Sequence, residues 1–352
     1  MSVVADATAG ESAPIGGSPG SDSPHHVGRS RGRALMLEFT ERYALVALFI
    51  ATFVFFCLWS KTPGFHNASN IKNVLGDESV IGILALAVMI PLVCGEFDFS
   101  VGNNAGLIQV LCAGFMARLG WPVVPVVLLT IAIGGFVGLL NGNTVARVGV
   151  NSLIVTLGIS SVLLGIVEWY TNGQSIINGI STGLVNLGTG EWLGLPTTLY
   201  FLVIAAIGVY YMLEHTPYGR YLYSIGSNRE AARLVGLRVE RLVLLAFVLS
   251  GTLAGVAGVL LVARNGSGSP QAATILNTLQ ALAAAYLGAT AIKPGRFNVV
   301  GTMIAIFFLA FTVNGLSLAG VADWINDAFN GGALFLAVLV STIIGRRRAG
   351  TG

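Results

Sequence analysis

From Tyr43 to Gly345 the chain is a series of apolar runs broken by short polar segments. The runs are Tyr43–Trp59, Val80–Val93, Val101–Ala117, Val123–Ala146, Leu153–Val167, Leu199–Leu213, Leu242–Ala263, Ala272–Ile292, Val299–Leu318 and Gly331–Gly345. A bilayer core about 30 Å thick takes about 20 helical residues. Backbone in lipid must satisfy its own hydrogen bonds, so runs of this kind become helices. The expected fold class is all-α, a polytopic transmembrane helical bundle of about ten spans. Several runs are short for a span, so some helices are expected to be broken. A length of 352 residues would otherwise allow soluble domains, but only 10% of the residues are charged, against roughly 25% in soluble proteins. One bundle over 35–348 is expected, preceded by a tail over 1–34. That tail is rich in Gly, Ser and Pro, has no hydrophobic period, and reads as disordered.

Orientation follows from the basic residues. With the N-terminus inside, Arg29, Arg31, Arg33, Arg42, Arg147, Arg220, Arg229, Arg233, Arg238, Arg241, Lys293, Arg296, Arg346, Arg347 and Arg348 fall inside. Only Lys61, Lys72, Arg118 and Arg264 of the 19 Lys and Arg fall outside. This asymmetry places both termini in the cytoplasm. It also accounts for the net charge of +3 without a nucleic-acid partner. Cys57, Cys94 and Cys112 sit in apolar surroundings with no CxxC spacing, and the four histidines form no set with them. No metal, no cofactor and no nucleotide bound through a GxxxxGK[ST] loop are expected.

The segment 214–241 is a charged island between apolar runs, and its five arginines put it on the cytoplasmic face. Its middle reads as a short helix. Asn228 is the N-cap, Glu230 sits in the first turn, Ala231 and Ala232 are strong helix formers, Arg229 and Arg233 flank them, and Gly236 ends it. Two readings are open: a docking element for a soluble partner, or an ordinary solvated loop.

Between the second and third runs lies CGEFDFSVGNN, residues 94–104. Its carboxylates Glu96 and Asp98 abut apolar sequence, and ionisable groups there usually face the bundle interior or an aqueous path. Gly95 and Gly102 allow irregular backbone, and Asp98 or Ser100 offers a cap for the next helix. The segment is therefore a tight capped turn, a pathway or gate, or a proton-coupling site. GRFNVVG at 295–301 is a short echo of it, as an internal repeat would give. Asn103, Asn104 and Gln109, and then Asn151, Ser152 and Thr156, add neutral donors and acceptors. Such groups suit an uncharged polyol. They also serve as ordinary interhelical bonds. Gly251, Gly255 and Gly258 with Ala254 signal close helix packing. The polar segment 171–198 is the largest outer loop. It either receives a delivery protein or covers the bundle.

Four phrases then carry a family likeness: GEFDFSVG, LNGNTVARVGVNSLIVTLGISSVLLG, TPYGRYLYSIGSNREAARLVGLRVERL and SGTLAGVAGVLLVARNGSGSP. With these, in this order, the chain resembles the membrane permease subunit of bacterial ABC sugar importers of the ribose, galactose and xylose class, from about residue 40 to 345. The resemblance implies a permease domain in the bacterial inner membrane that catalyses no covalent chemistry. It implies a permease dimer, cytoplasmic ABC ATPase subunits and an external sugar-binding protein as partners. It makes Glu230, Ala231, Ala232 and Gly236 a coupling signature that docks in an ATPase cleft, with Arg229, Arg233 and Arg238 holding acidic partner groups. The sequence departs at Glu96-Phe97, where many relatives have Gly or Asp then Ile, and at Phe99, which stands where the family has Leu. Alternatives are a permease for branched-chain amino acids or another small polar solute, a proton-coupled carrier using Glu96 or Asp98, and a non-transporting scaffold.

Overall fold

The structure is a computed structural model describing residues 31–349. The chain divides into two units, with the boundary after Glu38. Of the first unit only residues 31–38, which are helical, are described. The expected tail therefore lies outside the described residues up to residue 30, and residues 31–34, which the sequence assigned to it, open the first helix.

The described residues form thirteen α-helices: α1 Arg31–Leu58, α2 Ala68–Val93, α3 Val101–Leu119, α4 Val123–Asn143, α5 Ser152–Thr171, α6 Thr182–Thr189, α7 Thr197–His215, α8 Pro217–Ser227, α9 Arg229–Leu234, α10 Val239–Asn265, α11 Ile275–Gly288, α12 Val299–Leu318 and α13 Asp323–Ala349. A π turn, Thr144–Val148, extends α4. The only sheet among the described residues is a hairpin of β1, Glu191–Trp192, and β2, Leu195–Pro196. The all-α polytopic architecture is as expected, and each of the ten apolar runs coincides with a helix. Six of those helices are long and apolar enough to cross a membrane: α2, α4 with its π turn, α5, α7, α10 and α12.

Burial separates centre from periphery. In α2, 78% of the apolar window is buried, against 28% in α4, 28% in α5 and 22% in α7. A helix apolar all round is buried in a bundle or faces lipid. α2 is the central post, and the open faces of α4, α5 and α7 carry exposed Leu128, Phe136, Ile154, Ile204 and Ile207. α10 lies against α4 with almost no side chain between them. A Cβ on Gly138 would overlap the Phe247 carbonyl, and one on Gly251 would overlap that of Gly134. Without a hydrophobic drive in lipid, such backbone approach is what holds helices together.

α11 departs from expectation. A run of 21 residues, Ala272–Ile292, was expected to span, but the helix has 14 residues, about 21 Å at 1.5 Å per residue. Thr274 caps it by accepting from the Leu276 N–H at 3.1 Å. The preceding segment enters the bundle as a 3-10 turn, Pro270–Ala272, with Ala273 against Gly106.

Polar contacts sort the connections into two ends. At one end, Arg229 pairs with Glu96, Lys293 with Glu214 at 2.7 Å, and the Tyr223 hydroxyl donates to the Phe297 carbonyl at 2.7 Å. At the other, Arg264 meets Asp77 at 2.6 Å, Lys72 meets Glu191 at 2.6 Å, and Ile176 bridges to Gly268.

Candidate functional site

The segment 94–100 is where the polar groups of the interior converge. Gly95, at φ +84°, turns the chain out of α2 in a conformation that disfavours residues with a Cβ. The Pro91 carbonyl then accepts from the N–H groups of Cys94 at 3.0 Å and Glu96 at 3.1 Å. The next two free donors go to α5. Phe97 N–H donates to Ser152 Oγ and Phe99 N–H to Thr156 Oγ1, both at 3.1 Å. Thr278 Oγ1, on α11, accepts from Gly102 N–H at 2.8 Å.

Asp98 lies at the middle of this web, 1% exposed. Its Oδ1 accepts from the Ser100 hydroxyl at 2.6 Å, and its Oδ2 accepts from the Ser250 hydroxyl at 2.8 Å. Ser250 stands near the midpoint of α10. Ser100 Oγ in turn accepts from Asn141 Nδ2 at 2.7 Å, which adds α4. The two capping candidates resolve differently from the sequence reading. Ser100 occupies the N-cap position of α3 without a side-chain cap bond, and Asp98 bonds Ser100 itself. Gly102 is helical rather than irregular, and its missing side chain makes room for Thr274 and Thr278.

Glu96 points away from this web. It is 7% exposed and forms an ion pair with Arg229 of α9. A cavity of about 730 Å³ opens beside the pair, lined by Glu96, Asn151, Ser152, Arg229 and Arg233 among others. Burial pushes the neighbouring Cys94 thiol up to about 12, with the Glu96 carboxylate adding to the shift.

The remaining polar candidates are spread through the helix contacts. Asn103 Nδ2 donates to the Ser160 carbonyl at 3.0 Å and Asn104 Nδ2 to that of Gly134 at 3.1 Å. The amide oxygens of Asn103, Asn104, Gln109 and Asn141 are buried and find no hydrogen-bond partner among the described residues. Asn151 caps α5, accepting from Leu153 N–H at 2.9 Å. Of the seven pathway candidates only Glu96, Asn151 and Ser152 line the cavity; Asp98, Asn103, Asn104 and Thr156 do not.

α9 folds as its sequence indicates. Asn228 Oδ1 accepts from the Ala231 N–H at 2.9 Å, and Gly236, at φ +85°, closes the helix as its N–H donates to the Arg233 carbonyl at 2.9 Å. Ala232 is packed and Ala231 exposed. Of the three arginines expected to hold a partner's acids, two meet acids of this chain and Arg238 is exposed. Arg229 turns inward to Glu96, and Arg233 pairs with Glu230 at 3.2 Å and Glu240 at 3.1 Å. The outward surface includes the apolar Leu234, 88% exposed, and Val235, 77% exposed. Behind α9, a second cavity of about 500 Å³ is walled by Arg220, Arg296 and Tyr223, with the Arg296 guanidinium 3.6 Å from the Tyr223 ring centre.

Sequence reasoning missed Ser250, Asn141 and Thr278 as partners of 94–102. Asn141 was open to discovery as an amide inside an apolar run. Ser250 was hidden in a stretch that reads as packing alone. Glu78, whose Oε2 accepts from Gln280 Nε2 at 3.1 Å between α2 and α11, was also missed.

Comparison with known proteins accords with this arrangement. The family model for the permease component of branched-chain amino acid transport systems matches residues 70–339. The ribose import permease protein RbsC of Escherichia coli (strain K12) is 33% identical over 303 residues, covering 85% of this chain and 93% of that protein. The xylose transport system permease protein XylH of the same strain is 29% identical over 365 residues, covering 87% and 92%. The probable ABC transporter permease protein YphD, also from that strain, is 32% identical over 320 residues, covering 90% and 96%. No solved structure matches the chain. These helices and this coverage define a multi-pass membrane permease subunit of the ABC importer type. The chain belongs to the family of permease components of branched-chain amino acid transport systems.

Proposed function

We propose that this chain is the membrane-spanning subunit of an ATP-driven importer for a monosaccharide of the ribose, xylose or galactose type. In this reading it crosses the bacterial inner membrane about ten times, with both termini and the loop 214–241 in the cytoplasm. ATP is hydrolysed on separate ABC ATPase subunits. An external sugar-binding protein delivers the solute, and a second copy of the chain completes the pore. The coupling residues are Arg229, Glu230, Ala231, Ala232, Arg233 and Gly236. The path residues are Glu96, Asp98, Asn103, Asn104, Asn151, Ser152 and Thr156.

The observation that carries this reading is α9 itself. It is a capped, six-residue helix that shows Leu234 and Val235 to the outside while its first residue is ion-paired to the interior segment 94–100. An exposed apolar tip on a rigid short helix suits a soluble partner's cleft. Arg42 of α1, Arg147 of the π turn, Arg220 of α8, and Lys293 and Arg296 lie at the same end as α9, which supports a cytoplasmic placement. Neutral Asn151 and Ser152 line the cavity beside Glu96, and such donors and acceptors suit an uncharged polyol. Glu96 is committed to Arg229, which disfavours a free proton-coupling carboxylate at that position.

The test is reconstitution of the permease with its ATPase and binding protein in proteoliposomes. Uptake of ribose or xylose that needs ATP supports the proposal. Uptake of leucine in preference to either sugar, or uptake driven by a proton gradient without ATPase, contradicts it.

A further inference from the structure

The ion pair between Glu96 and Arg229 joins two parts of the chain that are otherwise separate in sequence and in role. Arg229 opens α9, whose surface is exposed. Glu96 sits in the buried segment whose next residues are fixed to α5 through Ser152 and Thr156, to α10 through Ser250, and to α4 through Ser100 and Asn141. Gly226, near the end of α8, lies directly against the Val93 carbonyl, so the coupling loop also abuts the start of this segment. The pair forms part of the wall of the 730 Å³ cavity, together with Asn151 and Ser152. The Glu96 side chain is 10% exposed and that of Arg229 35%. A carboxylate this buried is costly to leave alone, so its partner matters.

We propose that Glu96 and Arg229 form a charge latch that makes the cavity beside α5 follow the position of α9. This rests on the importer reading above and adds the element through which motion enters the bundle. When α9 shifts with a docked partner, Arg229 carries Glu96 with it or releases it. Either event disturbs the Phe97–Ser152 bond on the cavity wall and the Phe99–Thr156 bond behind it. Both residues act by positioning the segment 94–100, and neither need touch the solute.

The experiment uses the complete complex in proteoliposomes, with the variants Glu96→Gln, Arg229→Gln and the exchange E96R/R229E. Three quantities are read: sugar carried per ATP hydrolysed, ATPase retained on the purified permease, and maleimide labelling of Val150→Cys on the cavity wall in a cysteine-free background, with and without nucleotide. The latch predicts that each single variant retains ATPase but loses roughly fivefold or more in sugar per ATP, and that nucleotide no longer changes labelling at position 150. The exchange restores most of both. Because the first quantity is a ratio, lower protein abundance does not imitate the effect. Single variants with the unmodified ratio, or an exchange variant no better than the singles, overturn the latch. Uptake by the unmodified complex that ignores ATP removes the importer reading itself, whereas ATP-driven uptake indifferent to all three variants removes only the latch.

Discussion

Ser250 donates its hydroxyl to Asp98 at 2.8 Å, tying the irregular chain between α2 and α3 to the midpoint of α10. Both groups are buried, Asp98 at 1% exposure and Ser250 at 0%. Removing one partner leaves the other desolvated and unpaired, at a cost of about 1–3 kcal/mol. Asp98→Ala strands two hydroxyls and is expected to lower the detergent melting temperature more than Ser250→Ala. A double-mutant cycle between the two positions should show coupling of at least about 0.5 kcal/mol. Strict additivity would mean the bond contributes nothing.

Helix contact between α4 and α10 makes a second expectation. Gly138→Leu places atoms where the Phe247 carbonyl now lies. Overpacking costs typically about 1–3 kcal/mol, and backbone in the way raises the upper end. The variant should express poorly or elute as aggregate on size exclusion. Gly208→Ala, with nothing within 4 Å of the new Cβ, should elute as the unmodified protein does.

Cys94 provides a chemical check. Burial holds its thiol near 12, so the thiolate that reacts is scarce at neutral pH. A raised thiol value means the neutral form persists from acid up to about 12. The folded permease at pH 8 should leave Cys94 unmodified by N-ethylmaleimide, and protein unfolded in detergent should react fully, as read by intact mass. Rapid modification of Cys94 in the folded state would contradict the burial described.

The caps of α9 make the fourth expectation. Asn228→Ala removes the acceptor for Ala231 N–H, worth about 1 kcal/mol. Gly236→Val forces a β-branched residue to φ +85°, at a cost of about 1–2 kcal/mol. Both should loosen α9 locally while leaving the bundle intact. Faster hydrogen exchange confined to 228–237 is the readout.

What the sequence made legible follows from the range of the forces involved. The helical character of the apolar runs and the α9 caps depend on neighbours within a few residues, and these are legible, as from Asn228 through Gly236; of the about ten spans expected, six helices among the described residues are long and apolar enough to cross a membrane. The partners of Asp98 are non-local. Ser250 is 152 residues away, and nothing in a stretch of small residues distinguishes a packing serine from one that serves a carboxylate. Arg229 meets Glu96, 133 residues away, a pairing that nothing local in the island marks. α11 is shorter than its apolar run at both ends, starting after the Thr274 cap and stopping at Gly288, and hydropathy marks neither end.

The account turns on α9 meeting a motor protein, and Leu234 is the position that reports it most directly. A photo-crosslinking amino acid placed at 234, in cells making the whole transporter, should join the permease to its ATPase subunit in the light. If it instead yields no adduct with that subunit while ATP-driven uptake continues, α9 is not where force is received, and the central claim fails.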